Sequence, residues 1–260
     1  MLLAVDVGNT NIVVGVYRHG EIIADWRLVT DSYRMPDEYA MLLRSLLEHH
    51  GLSMASVTAM ILSSVVPPLV TAFKELAERY LKLTPLVVGP GIKTGVRILY
   101  ENPKEVGADR IVNALAAHRL YGGPAIVVDF GTATTFDAVS ADGDYLGGAI
   151  APGIGISSKA LFQFAAKLPH IELVRPRSAV GKNTIASMQS GILFGYVGLV
   201  EGLITRFHQE LGPSRVVATG GLAEIIARET KMIEVVDPRL TLEGLRLIYE
   251  LNRGNDGSSE

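Results

Sequence analysis

Two short stretches carry residue types suited to holding an anion and a cation together. One is Asp129-Phe130-Gly131-Thr132-Ala133-Thr134-Thr135-Phe136-Asp137, and the other is Asp6-Val7-Gly8-Asn9-Thr10-Asn11. Each follows an apolar run, Ala125-Ile126-Val127-Val128 or Leu2-Leu3-Ala4-Val5, that predicts a buried strand. A carboxylate, a glycine two residues on and then hydroxyl or amide side chains make a tight turn whose backbone N–H groups face an anion. A single Asp accepting turn N–H bonds would account for either stretch alone. Two with the same spacing, each at a strand end, point to a metal-bound triphosphate. Carboxylates hold the cation, and turn amides and hydroxyls hold phosphate oxygens.

Three more stretches bear on chemistry. Thr219-Gly220-Gly221 ends a predicted strand and opens a helix. It is either a plain turn or a close backbone approach to a nucleotide's base or ribose. Asp109-Arg110 sits near a helix start, as a surface pair or cap, or as proton acceptor and anion binder in a phosphate-transfer site. Gly191, Gly195, Gly198 and Gly202 fall on one long predicted helix. Each costs about 0.8–1 kcal/mol relative to Ala there, so close packing must offset them, either within the chain or against a second subunit.

The elements that position these residues follow one pattern twice. Residues 2–5, 12–17 and 21–29 predict three hairpin-connected strands. A helix from Pro36 to the stop at Gly51, a strand at 57–66, a helix after Pro67-Pro68 and a short strand at 86–88 continue it. Met35 is a poor residue to precede that first helix. Asn102-Pro103-Lys104-Glu105 predicts a helix start that Gly107 interrupts, with resumption to Gly122. The second half then restarts with strands from 125 to 140 and, after the turn at Asp142-Gly143-Asp144, from 145 to 150. Helices at 156–167 and, capped by Asn183-Thr184, to about 211 follow. A strand at 215–218, a helix at 222–229, a strand at 232–236 and a helix after Pro238 complete the pattern. An internal duplication explains this economically. It divides the chain into domains 1–118 and 119–253, and residues 254–260 read as a disordered tail.

The bulk properties exclude several classes. Hydrophobic residues make up 48% and charged residues 20%, ordinary values for a globular protein with a full core. The net charge of −3 comes without a basic stripe, which argues against nucleic acid. With no cysteine, disulfides and thiolate metal sites are excluded. No signal peptide is evident. The most apolar stretch, residues 192–200, is short for a membrane span and is followed by Glu201, so a cytoplasmic protein is expected. Gly89-Pro90-Gly91-Ile92-Lys93-Thr94 lacks the Gly before Lys of a phosphate-binding loop, and Gly153-Ile154-Gly155 lacks the third Gly of a dinucleotide fingerprint. The six histidines show no ligand-pair spacing. Ser63-Ser64 and Ser157-Ser158-Lys159 have no base context and read as caps or turns.

With these residues in place the chain resembles the type III pantothenate kinases, of the acetate and sugar kinase/Hsp70/actin superfamily, over residues 1–253. The resemblance rests on Asp6-Val7-Gly8-Asn9-Thr10-Asn11, Gly107-Ala108-Asp109-Arg110, Asp129-Phe130-Gly131-Thr132-Ala133-Thr134-Thr135 and Thr219-Gly220-Gly221, in that order. It implies an α/β fold of two duplicated actin-like (ribonuclease H-like) domains, mixed sheets flanked by helices, with the active site in the interdomain cleft. It implies ATP-dependent phosphorylation of the primary hydroxyl of pantothenate, the first step of coenzyme A biosynthesis. ATP would be bound by Asp6, Val7, Gly8, Asn9, Thr10, Asn11, Ile12, Val13, Thr132, Gly220 and Gly221, with Asp6 near Mg²⁺. Tyr100, Gly107, Ala108, Asp109, Arg110 and Thr184 would bind pantothenate, Asp109 as the proton acceptor. Asp129 would bind a monovalent cation, potassium or ammonium. The resemblance also implies a homodimer, here through the helix at 184–211, in which Thr184 serves the neighbouring subunit. On the phosphate turns alone, another kinase or phosphatase of the superfamily fits too, as does a nucleotide-binding regulator without turnover. Residues 107–110 and the chain length favour pantothenate.

Overall fold

Leu3, Val5 and Val7 project to one side of the first strand, and Leu2, Ala4 and Asp6 to the other, so both faces of the sheet built on it must be covered. The computed structural model describes residues 1–253; the tail predicted at 254–260 lies outside the described residues. The chain forms two compact units, one of residues 1–97, 101–116 and 240 onward, the other of 98–100 and 117–239.

The first unit holds β1 (Leu2–Val7), β2 (Asn11–Arg18), β3 (Glu21–Val29), α1 (Pro36–His49), β4 (Ala59–Ser64), α2 (Pro67–Leu76) and β5 (Leu86–Val87). Its sheet runs in the order β3-β2-β1-β4-β5, with β1 antiparallel to β2 and parallel to β4. On one face α1 and α2 bury Tyr39, Leu43, Leu47, Leu69, Phe73 and Leu76 against Val5, Val14 and Leu62. Glu38 at the third position of α1 accepts a hydrogen bond from Met35 N–H at 2.8 Å. That bond caps the helix despite its poor leading residue. On the other face lie α3 (Ala108–Tyr121) and α7 (Leu240–Arg253), through Val112, Leu115, Leu242, Leu245 and Ile248. Pro103–Glu105 forms only a separate 3₁₀ turn before α3.

The second unit holds β6 (Ala125–Phe130), β7 (Ala133–Val139), β8 (Tyr145–Pro152), α4 (Ile154–Phe164), α5 (Thr184–Leu211), β9 (Arg215–Thr219), α6 (Ala223–Ala227) and β10 (Val235–Val236). Its sheet order, β10-β9-β6-β7-β8, is the first sheet's order repeated, with β6 in the place of β1. The α5 residues Leu193, Val197, Val200 and Ile204 pack with Ile126, Val128, Phe136 and Val216.

The sequence-based division at 118/119 placed residues 240–253 with the second half, whereas α7 belongs to the first unit. Its apolar stripe closes the open face of the first sheet: Leu242 and Leu245 are 1% and 0% exposed. Gly244 lets α7 approach α3 closely, since a β-carbon there would lie 2.3 Å from Val112 O. By length and composition α5 could cross a membrane, with 28 residues and a mean hydropathy of 1.2, but 44% of its most apolar window is buried. That burial is against the second sheet.

Candidate active site

In the first unit the predicted residues gather at the carboxyl ends of β1 and β4. Asp6 is half-buried, one residue from the end of β1, and is in register with Val13 on β2 and Ser63 on β4. The turn from Gly8 to Asn11 closes with Gly8 N–H donating to Asn11 O at 3.0 Å, leaving Asn9 and Thr10 exposed at its tip. Thr30, just past β3, clamps the turn from behind: its N–H donates to Thr10 O at 2.9 Å and its Oγ1 to Gly8 O at 2.7 Å. These bonds occupy carbonyls and so leave the anion-seeking side of the turn to its N–H groups. Nothing in the sequence singled out Thr30; only the β2–β3 register brings it there. The side chains of Val7 and Ile12 are fully buried in the core. Any contact they make with a nucleotide is therefore through backbone.

Asp109 opens α3 at the same end of the unit. A β-carbon at Gly107 would lie 2.5 Å from Asp109 Oδ1 and 3.9 Å from Val65, just past β4. Only glycine fits there with the carboxylate in this position. Arg110 N–H donates to Asp109 Oδ1 at 2.8 Å, and the Arg110 side chain is buried. Burial pushes the Asp109 carboxyl up from its ordinary value; the Arg110 hydrogen bond and charge pull it down without cancelling that effect. A carboxylate with a raised pKa is a stronger proton acceptor than a solvated one.

In the second unit Asp129 repeats Asp6, one residue from the end of β6 and in register with Thr135 and Thr219. Gly220, at φ +92°, begins the turn after β9, and a β-carbon there would lie 2.6 Å from Asp129 Oδ1 and 2.7 Å from Phe130 N. The Asp129 carboxylate and the Thr219-Gly220-Gly221 turn are thus one local structure, which the sequence presented as two motifs. Thr132 is tied to the start of α4 by Gly153 N–H donating to its carbonyl at 3.1 Å. Tyr100 joins this unit through the strand-like segment 98–100, its ring 6.3 Å from that of Tyr145. Tyr145 donates to Asp137 Oδ1 at 2.9 Å, and Thr135 Oγ1 to Asp137 Oδ2 at 3.1 Å, so the buried Asp137 carboxylate orients the wall behind Tyr100.

Thr184 stands apart from these groups. It is exposed at the start of α5, whose cap is made by Asn183 Oδ1 accepting from Ala186 N–H at 2.8 Å. Two open hollows, of ≈ 640 and ≈ 590 Å³, flank it, and neither is lined by another predicted site residue.

Among the described residues no three acidic or histidine side chains converge on a point. A resident all-protein metal cage is therefore absent from them. A magnesium ion carried in on phosphate oxygens needs only one or two carboxylates and keeps its waters, which is what Asp6 offers.

Two sheets of identical strand order, each with an aspartate and a glycine turn at the end of its first strand, define the actin-like fold class. Comparison with solved structures agrees. The chain matches a ROK hexokinase from Thermus thermophilus with TM-score 0.52 at 17% identity, covering 97% of this chain and 99% of the other. It matches a Campylobacter jejuni protein described as a Baf family transcriptional activator with TM-score 0.64 at 19% identity, covering 97% and 99%. At these identities the likeness is one of fold. The family is given by sequence. Residues 2–206 match the model of the type III pantothenate kinases, and a type III pantothenate kinase of Moorella thermoacetica is 57% identical over 253 residues, 97% of this chain and 100% of that one. The chain belongs to the type III pantothenate kinase family, enzymes that phosphorylate pantothenate with ATP in coenzyme A biosynthesis.

Proposed function

We propose that this chain carries out its family's reaction, the primary hydroxyl of pantothenate taking the γ-phosphoryl group of ATP with Asp109 as the acceptor of the hydroxyl proton. The observation that carries this is the Asp109 carboxylate itself: partly buried, held by Arg110 N–H, and raised above its ordinary value. Phosphoryl transfer passes through a loose transition state, so alignment and charge neutralisation dominate and the base removes its proton late. The glycine turn of residues 8–11 would cradle the polyphosphate with backbone N–H groups, and Asp6 would hold the associated Mg²⁺. When bound there, Mg²⁺ would supply neutralisation of the phosphate charge. Arg110, Tyr100 and residues 107–108 bind pantothenate, and Gly220 and Gly221 pass close to adenosine. Asp129, half-buried at the end of an apolar strand, would hold potassium or ammonium, which offsets its charge there.

The reading extends to a cytoplasmic homodimer. In α5, β-carbons at Gly191, Gly195 and Gly198 would meet nothing within 4 Å among the described residues, and all three glycines are exposed. The intramolecular crossing that would have justified them is missing. Next to this face, α4 leaves Leu161, Phe162 and Phe164 exposed. A second copy covering both accounts for the glycines and places Thr184 to serve the partner's pantothenate.

The test is release of ADP on addition of pantothenate, against a panel of sugars, acetate and glycerol, in potassium and in sodium buffers. Turnover with pantothenate alone, dependent on potassium and lost in Asp109→Asn with ATP binding retained, is expected. Turnover unchanged in sodium would remove the role given to Asp129. Equal loss of ATP affinity and rate in Asp109→Asn would make Asp109 architectural.

A further inference from the structure

Ser63, which the sequence offers only as a cap or turn residue, is 0% exposed, and its Oγ has no hydrogen-bond partner among the described residues. A buried hydroxyl without a partner costs about 1–3 kcal/mol, so a chain keeps one where something outside the chain completes it. Its position says what. Along β4, Met60 and Leu62 join the cluster under α1 and α2, while Ala59 and Ile61 join the one under α3 and α7. Ser63 continues the second series, as Asp6 does after Leu2 and Ala4 on β1. The two are direct partners in the parallel β1–β4 pairing. They therefore stand side by side on one face, about 4.8 Å apart along the hydrogen-bonding direction. The second unit repeats the arrangement with Thr219 beside Asp129 in the β6–β9 pairing. A hydroxyl next to the strand-end carboxylate is thus present in both copies of the pattern.

We propose that Ser63 is a positioning residue for phosphoryl transfer, its Oγ–H donating to the cation-bound polyphosphate, or to a water of its cation, held at Asp6. The proposal rests on the reading of Asp6 as the Mg²⁺·ATP residue. Ser64 cannot take this role, because its hydroxyl is already engaged with Val66, accepting from its N–H and donating to its carbonyl, both at 3.1 Å.

The absence of a partner in the ligand-free chain makes the test sharp. Ser63→Ala removes no internal hydrogen bond, so the thermal midpoint of the ligand-free protein should hold or rise. Turnover should fall about tenfold to a hundredfold, somewhat less than the hundred- to thousandfold lost with a donor aimed directly at developing charge. Titrations of Mg²⁺ at fixed ATP and of ATP at saturating Mg²⁺ should show a raised requirement for at least one, with the pantothenate KM unchanged. Ser63→Cys, of similar volume and a weaker donor, should fall between. Kinetics within twofold of the parent, or loss of midpoint and activity together in both variants, would overturn the proposal. Asp6→Asn, run alongside, separates the two ideas. If Asp6→Asn leaves the Mg²⁺ and ATP dependence unchanged, the reading of Asp6 fails; if it shifts them and Ser63→Ala does not, only the role of Ser63 fails.

Discussion

At the scale of single residues, the site trades stability for chemistry, and Asp109 shows the sign of the trade. Its carboxyl is raised mainly by burial, so the folded state binds its proton more tightly than the unfolded chain does. Stability from this group falls as pH rises from the unfolded value through the folded one, and the full penalty persists above both. Asp109→Asn removes the buried charge. Its thermal midpoint should exceed the parent's at pH 7–8, with the gain shrinking on acidification, while turnover drops about a hundredfold or more. A midpoint below the parent's at pH 8 would show that the Arg110 N–H and charge, with Asp109's own N–H, outweigh the burial. Gly220 makes a second case. Its φ of +92° and the 2.6 Å that would separate a β-carbon from Asp129 Oδ1 leave no room for a side chain. Gly220→Ala should cost about 1–3 kcal/mol of stability by chemical denaturation and blunt the response to potassium. Retention of full potassium activation would separate this turn from the cation site.

Elements were legible where one signal decided them and illegible where pairing did. The two strand–turn–strand starts read directly, because alternation and a glycine corner are local properties. So did the Asn183 cap of α5, whose side chain makes the expected bond to Ala186 N–H. The helix predicted from residue 103 did not form as one piece, because Gly107 separates a single 3₁₀ turn from α3. Thr30 and Ser63 were invisible as site residues for a different reason. Each is an ordinary hydroxyl in sequence, and only strand register sets one behind the phosphate turn and the other beside Asp6. The outward glycines of α5 belong to this scale too. A β-carbon at Gly195 would meet nothing within 4 Å among the described residues, so a monomer should tolerate Gly195→Leu or gain helix stability. The proposed dimer should dissociate, seen by light scattering after gel filtration, and lose pantothenate affinity as Thr184 is withdrawn. A variant that elutes and turns over like the parent would leave the glycines without a function.

At the scale of the molecule, the repeated strand order was legible as a duplication, but the ownership of the last helix was not. Periodicity tells that α7 buries a face through Leu242, Leu245 and Ile248; it does not tell which sheet receives it. The first sheet does, with Gly15 on β2 leaving space that Leu242 fills, since a β-carbon there would lie 2.9 Å from Leu242. Cutting the chain at the apparent repeat boundary should therefore not yield two folded halves. Residues 1–118 expressed alone should be insoluble or molten by near-ultraviolet circular dichroism, and addition of a peptide of residues 238–253 should restore order in part. A cooperatively unfolding fragment 1–118 would contradict the packing of α7.

That return of the chain to its starting sheet orders events on the ribosome. At about 5–20 residues per second, the stretch between β1 and α7 takes roughly 12–48 s to make, and domains ordinarily finish in the order they emerge. Here the sheet that holds Asp6 waits for α7, with its second apolar flank covered only by α3 until residues 240–253 have been made.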